Sequence, residues 1–180
     1  MIKKENLPNL LTVGRIFVIP LFLVLTSIPD SILVHRLAAI IFALASLTDY
    51  FDGYLARKWQ VVTNFGKFAD PMADKILVMS AFIMLVGLQL APAWVAAVII
   101  CRELAVTGLR LLLIENGGKV LAAALPGKIK TATQMFAIIF LLSHFVLVGT
   151  IFLYISLVFT IYSGYDYFKG ASFLFKDTFK

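Results

Sequence analysis

The sequence predicts an all-α integral membrane protein: a six-transmembrane-helix bundle. Three observations predict it. Hydrophobic residues make up 61% of the 180 and charged residues only 14%, against about 45–50% and about 25% in soluble domains. The apolar residues fall into six runs, each near the ~20 residues that a helix needs to cross ~30 Å of hydrocarbon. The Lys and Arg residues gather on one side of those runs. The length suits one domain, residues 1–180.

The runs are Leu10–Ile28, Ile32–Arg57, Gly66–Leu88, Pro92–Ile114, Gly127–Val148 and Thr150–Phe168. Breakers or turn residues separate them: Pro29-Asp30, Asn64, Ala91-Pro92, Asn116-Gly117-Gly118 and Gly149. No small-residue cleavage site follows the first run, so it is expected to be a retained span rather than a signal peptide. The links are short, which implies antiparallel neighbours. With an inside N-terminus, the cytoplasmic ends carry Lys3, Lys4, Arg15, Arg57, Lys58, Lys67, Lys119, Lys128, Lys130, Lys169, Lys176 and Lys180, and the outer ends only Arg36. Six spans then place both termini in the cytoplasm. The tail Lys169–Lys180 mixes Phe with Lys and reads equally as an interfacial anchor or as a solvated end.

The net charge of +6 comes from residues scattered between apolar runs. That spread suits anionic lipid head groups or phosphate substrates and not nucleic acid. The single cysteine, Cys101, excludes an intramolecular disulfide and a cysteine zinc site.

The chemistry concentrates between the second and third runs. Asp49 and Asp52 are three apart at the cytoplasmic end of one helix; Asp70 and Asp74 are four apart at the start of the next. Each pair shares a helix face, and a short link lets the two faces meet. Two unit charges about 4 Å apart repel by about 4 kcal/mol at an effective dielectric near 20, so four carboxylates together call for cations. Hard oxygen ligands without His or Cys suit Mg²⁺, Mn²⁺ or Ca²⁺. Four negative charges balance two such ions, and two-metal sites clamp phosphoryl groups. Gly53 and Ala56, with Gly66 opposite, leave room for a ligand, and the planar fork of Arg57 can hold a diphosphate. Pro71 is expected near the first turn of its helix, where proline is tolerated. Any one of these acids also suits a helix cap or a partner for Lys67, Lys75 or Arg57. The four at this spacing favour the metal reading over caps and over an ion pathway, whose acids tend to sit near the midplane of repeated halves.

The stretch D-x2-D-G-x2-A-R-x8-G-x3-D-x3-D, Asp49 to Asp74, closely resembles the signature of the CDP-alcohol phosphotransferases, with every specified position present. The resemblance implies a six-helix bundle, usually a homodimer, with a polar cavity open to the cytoplasm and laterally to lipid, that transfers a phosphatidyl group from CDP-diacylglycerol to a hydroxyl and releases CMP. It implies that Asp49, Asp52, Asp70 and Asp74 hold two divalent cations, usually Mg²⁺, with Mn²⁺ as an alternative. It makes Asp74 also the general base, and it lays Gly53, Ala56 and Arg57 against the CDP group, with Gly66 facing them.

The opening Pro8–Arg15 is similar to that of bacterial phospholipid-synthesis members. Asn9, Thr12 and Arg15 recur every three residues and can share a face beside the CDP site; capping by Asn9 and anchoring by Arg15 explain them equally well. Arg102-Glu103, Arg110 and Gly127–Thr131 resemble the branch whose acceptor is glycerol 3-phosphate. An unpaired charge deep in an apolar run is costly. Glu103 is adjacent to Arg102 and is not expected on its helix face, so Arg102 is expected to face the cavity or another partner. Arg102, Arg110, Lys128 and Lys130 are then the candidate ligands of an acceptor phosphate, with positive-inside anchoring as the competing account, above all for Lys130. Serine, an inositol phosphate and phosphatidylglycerol remain alternative acceptors. From another class, a small cation transporter is the rival. The expected setting is a bacterial plasma membrane, with the lipid bilayer, CDP-diacylglycerol and glycerol 3-phosphate as partners. His144 reads as a packing residue, and Glu115 and Asp166 carry no assigned role.

Overall fold

The computed structural model describes residues 7–29, 31–59, 64–115 and 125–171, in six α-helices and, among those residues, no strand. They are α1 (Leu7–Thr26), α2 (Ile32–Trp59), α3 (Asn64–Gly87), α4 (Ala93–Glu115), α5 (Leu125–Leu142) and α6 (Val146–Gly170). Side chains are not described for 7–13, 15, 16, 49–59, 64–71, 73, 74, 114 and 115. The six expected elements are present, with shifted ends.

Two of those ends have a clear cause. The turn between α5 and α6 is expected at Gly149 but lies at Ser143–Phe145. His144 takes φ 64°; its N–H donates to the Leu141 carbonyl, and the Phe145 N–H donates to the Phe140 carbonyl, each at 2.9 Å. That is a Schellman cap with histidine where glycine is usual. Gln89, at φ 57°, closes α3 in the same way, with Gln89 N–H to Val86 O at 3.0 Å and Leu90 N–H to Leu85 O at 2.9 Å. Gly149 is inside α6 and is there for contact: a Cβ would stand 2.6 Å from Leu141 Cγ. Pro71 also departs from expectation. Since α3 starts at Asn64, the proline sits two turns in, where it removes a helical hydrogen bond.

The main core gathers Phe22 of α1, Phe42 of α2, Phe82 of α3, Ile99 of α4, Ile138 of α5 and Leu153 of α6. A second, separate cluster joins the far half of α4 to the end of α6 through Val106, Leu109, Leu113, Tyr167 and Ala171.

Among the described residues, one helix, α6, is long and apolar enough by itself to cross a membrane, where six such spans are expected. The others are apolar over only part of their length: Phe17–Thr26, Ile32–Thr48 and Lys75–Gly87. In α4 the apolar run is interrupted by Arg102, Glu103 and Arg110, and α5 begins with Lys128 and Lys130. Side-chain bonds link the middle of α4 to the first half of α5 and the middle and last half of α4 to the last half of α6. The polar halves of these helices thus converge at one pole of the bundle.

Candidate active site

At that pole a cavity of about 200 Å³ opens between α3, α4, α5 and α6, its polar wall formed by Lys75, Arg102, Glu103, Arg110, Lys130 and Tyr167. Four cations therefore face one carboxylate among the described lining residues.

Each charge is held by a bond across a helix interface. Glu103 Oε1 accepts from Lys130 Nζ of α5 and from Arg102 Nη1 at 3.2 Å. Arg102 Nη2 donates to Ser163 Oγ of α6 at 2.9 Å. Arg110 Nη2 donates to the Tyr167 hydroxyl. Lys75 of α3 donates to Thr107 Oγ1, which itself donates to the Glu103 carbonyl at 2.6 Å. Both guanidinium carbons lie over the Tyr167 ring, Arg102 at 5.8 Å and Arg110 at 5.0 Å from its centroid. Arg102 Nε and Arg110 Nε are buried without a hydrogen-bond partner. Two guanidinium groups and a lysine that converge on one cavity suit an anion with several oxygens. Arginine forks suit phosphate.

Three of the four expected phosphate ligands, Arg102, Arg110 and Lys130, line this cavity. Lys128 does not: it is exposed. Two residues of helix turn a side chain by about 200°, so Lys128 and Lys130 cannot share the face. Glu103 corrects a second expectation. It does bond Arg102, because the long Arg102 side chain reaches round to it.

The carboxylate cluster is seen only as backbone. Asp49, Asp52, Gly53, Ala56 and Arg57 are helical in α2, and Asp70, Asp74 and Gly66 are helical in α3; Asn9 and Thr12 are helical in α1. Their side chains lie outside the described residues. Helical backbone through both segments keeps the pairs Asp49/Asp52 and Asp70/Asp74 each on one face, and α2 and α3 are in contact. That placement and an all-carboxylate donor set fit a hard divalent cation. Among the residues whose side chains are described, which exclude these four aspartates, no group of three His, Cys, Asp or Glu could hold a metal.

Tyr167, Ser163 and Lys75 were not singled out from sequence. A signal existed: Ser156, Thr160, Ser163 and Tyr167 recur at helical spacing in the otherwise apolar α6, and all are buried. An apolar helix that buries a polar stripe has polar partners elsewhere in the chain.

The sequence profile of the CDP-alcohol phosphatidyltransferase family matches residues 5–162. A Bacillus subtilis (strain 168) protein named CDP-diacylglycerol–glycerol-3-phosphate 3-phosphatidyltransferase is 50% identical, over 91% of this chain and 94% of its own length. Proteins of the same name from Rickettsia typhi and Salmonella typhimurium are 42% and 37% identical, over 95% and 92% of this chain and 99% and 94% of their own length. With that match, the Asp49–Asp74 signature and an anion-hungry cavity at the same end of α3, the chain belongs to the CDP-alcohol phosphatidyltransferase family.

Proposed function

We propose that this chain transfers the phosphatidyl group of CDP-diacylglycerol to the primary hydroxyl of glycerol 3-phosphate, giving phosphatidylglycerol phosphate and CMP. The names of the relatives support the substrate pair. The observation that carries the acceptor is the cavity wall, where Arg102, Arg110 and Lys130 converge from two helices. A neutral or zwitterionic acceptor such as serine offers the arginine forks no phosphate; glycerol 3-phosphate does.

In this reading Arg102, Arg110 and Lys130 hold the acceptor phosphate and so direct the hydroxyl toward the α2–α3 carboxylates. Asp74 takes the hydroxyl proton as the oxygen attacks the phosphorus that bears diacylglycerol, and the bond from that phosphorus to CMP breaks. Gly53, Ala56, Arg57 and Gly66 lie against the CDP group, with Asn9 and Thr12 of α1 beside them. Asp49, Asp52, Asp70 and Asp74 hold two divalent cations, Mg²⁺ or alternatively Mn²⁺. When bound, these neutralise the diphosphate and the charge developing on CMP. Positioning and fixed charge supply most of the acceleration.

The acyl chains call for a bilayer setting. Large apolar side chains stand exposed along the helices, among them Leu33, Ile40, Leu111, Leu147 and Val158, as suits a surface that lipid solvates. The remaining helices then span as a bundle, their polar halves buried against one another at the cytoplasmic pole, with both termini on that side. One domain, working as a homodimer in a bacterial plasma membrane, completes the reading that the family resemblance implies.

The test is CMP release by the purified chain in detergent with CDP-diacylglycerol and Mg²⁺ over a panel of acceptors. Release that depends on glycerol 3-phosphate is expected. Release with serine or an inositol phosphate instead keeps the chemistry and overturns the acceptor. No release with any acceptor, from a protein that is folded by thermal unfolding, overturns the enzyme reading and leaves ion flux to be measured.

A further inference from the structure

We propose that Tyr167 is a positioning residue for the acceptor phosphate: with Ser163 and Gly164 it makes the end of α6 a platform that aims Arg102 and Arg110 into the cavity. This rests on the proposed function for the identity of the anion, and on the geometry alone for the platform.

Arg102 and Arg110 are eight residues apart on α4, which separates their backbones by about 12 Å along the helix. Two like charges on one helix gain by spreading apart. Instead both reach the same ring, at 5.8 Å and 5.0 Å from its centroid. The negative face of an aromatic ring attracts a guanidinium, and more strongly when water is excluded. Tyr167 adds its hydroxyl, which accepts from Arg110 Nη2, and Ser163, one turn earlier, accepts from Arg102 Nη2 at 2.9 Å. Gly164 gives Arg102 its path along α6, because a Cβ there would stand 3.3 Å from Arg102 Cγ.

The ring itself is immobilised. Tyr167 is 6% exposed and belongs to the second apolar cluster, with Val106, Leu109 and Leu113 of α4 and Ala171. That cluster is separate from the main core, and it packs α4 against α6 beside the two arginines. An arginine side chain carries about 2 kcal/mol of rotamer entropy. Holding both forks in advance means that the phosphate does not have to order them. The inner edges of the forks, Arg102 Nε and Arg110 Nε, are buried and partnerless. Those edges are packed inside the protein, which leaves the outer nitrogens of each fork for the cavity. Tyr167 touches the arginines rather than the reacting atoms, so its role is positioning and not catalysis.

The experiment compares the full-length chain with Tyr167→Phe, Tyr167→Ala and Gly164→Ala in detergent. Tyr167→Phe keeps the ring and its apolar packing and removes one bond to a charged group. A bond of that kind corresponds to about a tenfold effect or more. The expected result is a rise of about tenfold in KM for glycerol 3-phosphate, with KM for CDP-diacylglycerol and kcat within about twofold. Tyr167→Ala is expected to raise the acceptor KM further, and Gly164→Ala to move it in the same direction by crowding Arg102. Equal rises in both KM values, or an unchanged acceptor KM in Tyr167→Phe, overturn the platform. Thermal stabilisation by inorganic phosphate gives a readout without turnover. If wild type releases no CMP with glycerol 3-phosphate, the function reading fails. The platform then stands if Tyr167→Phe weakens phosphate stabilisation and falls if it does not.

Discussion

Lys130 of α5 and Glu103 of α4 form an ion pair inside the bundle, with side chains 6% and 12% exposed. The pair ties α4 to α5 at the cavity wall. It also presents Lys130 to the cavity.

Lys130→Met removes one partner and leaves the Glu103 carboxylate with Arg102 alone. Breaking a buried pair in this way costs about 3–5 kcal/mol, whereas replacing both partners by apolar groups is often near neutral. Lys130→Met is therefore expected to lower the thermal midpoint in detergent clearly, and adding Glu103→Leu to recover much of the loss. Neither protein is expected to regain the acceptor KM of wild type, because the phosphate has lost a cation. Four thermal midpoints and four KM values complete the cycle. A double variant no more stable than the single one would remove the pair from the stability account.

Gly149 tests the α5–α6 contact. A Cβ there would stand 2.6 Å from Leu141 Cγ and 2.9 Å from the Leu141 nitrogen. The backbone atom cannot swing aside. Gly149→Ala is expected to destabilise by about 1–3 kcal/mol, as overpacking does. Gly108 of α4 meets nothing within 4 Å, so Gly108→Ala is expected to be neutral or to stabilise by up to about 1 kcal/mol through helix propensity. Thermal unfolding of the two variants beside wild type decides it; equal effects would mean that α5 and α6 do not pack this closely.

Asp74→Asn retains the shape of the side chain and removes its basicity. Turnover is expected to fall by at least about a hundredfold, the lower range for loss of a general base, while binding of CDP-diacylglycerol persists. Asp49→Asn is expected instead to shift the Mg²⁺ titration of activity to higher concentration. Near-normal turnover in Asp74→Asn would take the proton-transfer role from it, and an unchanged titration in Asp49→Asn would take away its ligand role.

The number of helices was legible because each apolar run is long, and the reaction class because the aspartates keep a fixed spacing. What sequence misplaced has local causes. Glycine is the expected left-handed cap, so Gly149 was read as the break that His144 in fact makes. Lys128 was grouped with Lys130 by proximity along the chain, although two helical residues point opposite ways. Glu103 was separated from Arg102 by the same face rule, which ignores how far a long side chain reaches. Tyr167 was missed because nothing local to α6 says that α4 will bring two arginines to it. That relation is tertiary, and only the buried polar stripe of α6 hinted at it.

The pole away from the cavity offers the last test. His35 Nε2 faces the Ile28 carbonyl at 3.0 Å, which can only accept, so Nε2 carries the hydrogen and Nδ1 is left to accept. His144 Nε2 lies 3.0 Å from that Nδ1 and donates to it. The ring planes are 13° apart with centroids 5.3 Å apart, as in rings joined end to end, and Arg36 reaches the Ser143 carbonyl beside them. Burial, then the neighbouring His35 and Arg36, hold the His144 imidazole below its ordinary value of 6.5. Folded His144 therefore binds fewer protons than unfolded His144. Its neutral form is favoured above pH 6.5, and stability falls as the pH drops from 6.5 towards the depressed folded value. His144→Asn keeps a residue that tolerates positive φ and does not titrate. Wild type is expected to lose more of its thermal midpoint between pH 7.5 and 5.5 than His144→Asn does. Parallel losses in the two proteins would show that His144 does not couple folding to pH, and that the cap geometry alone accounts for its place in the turn.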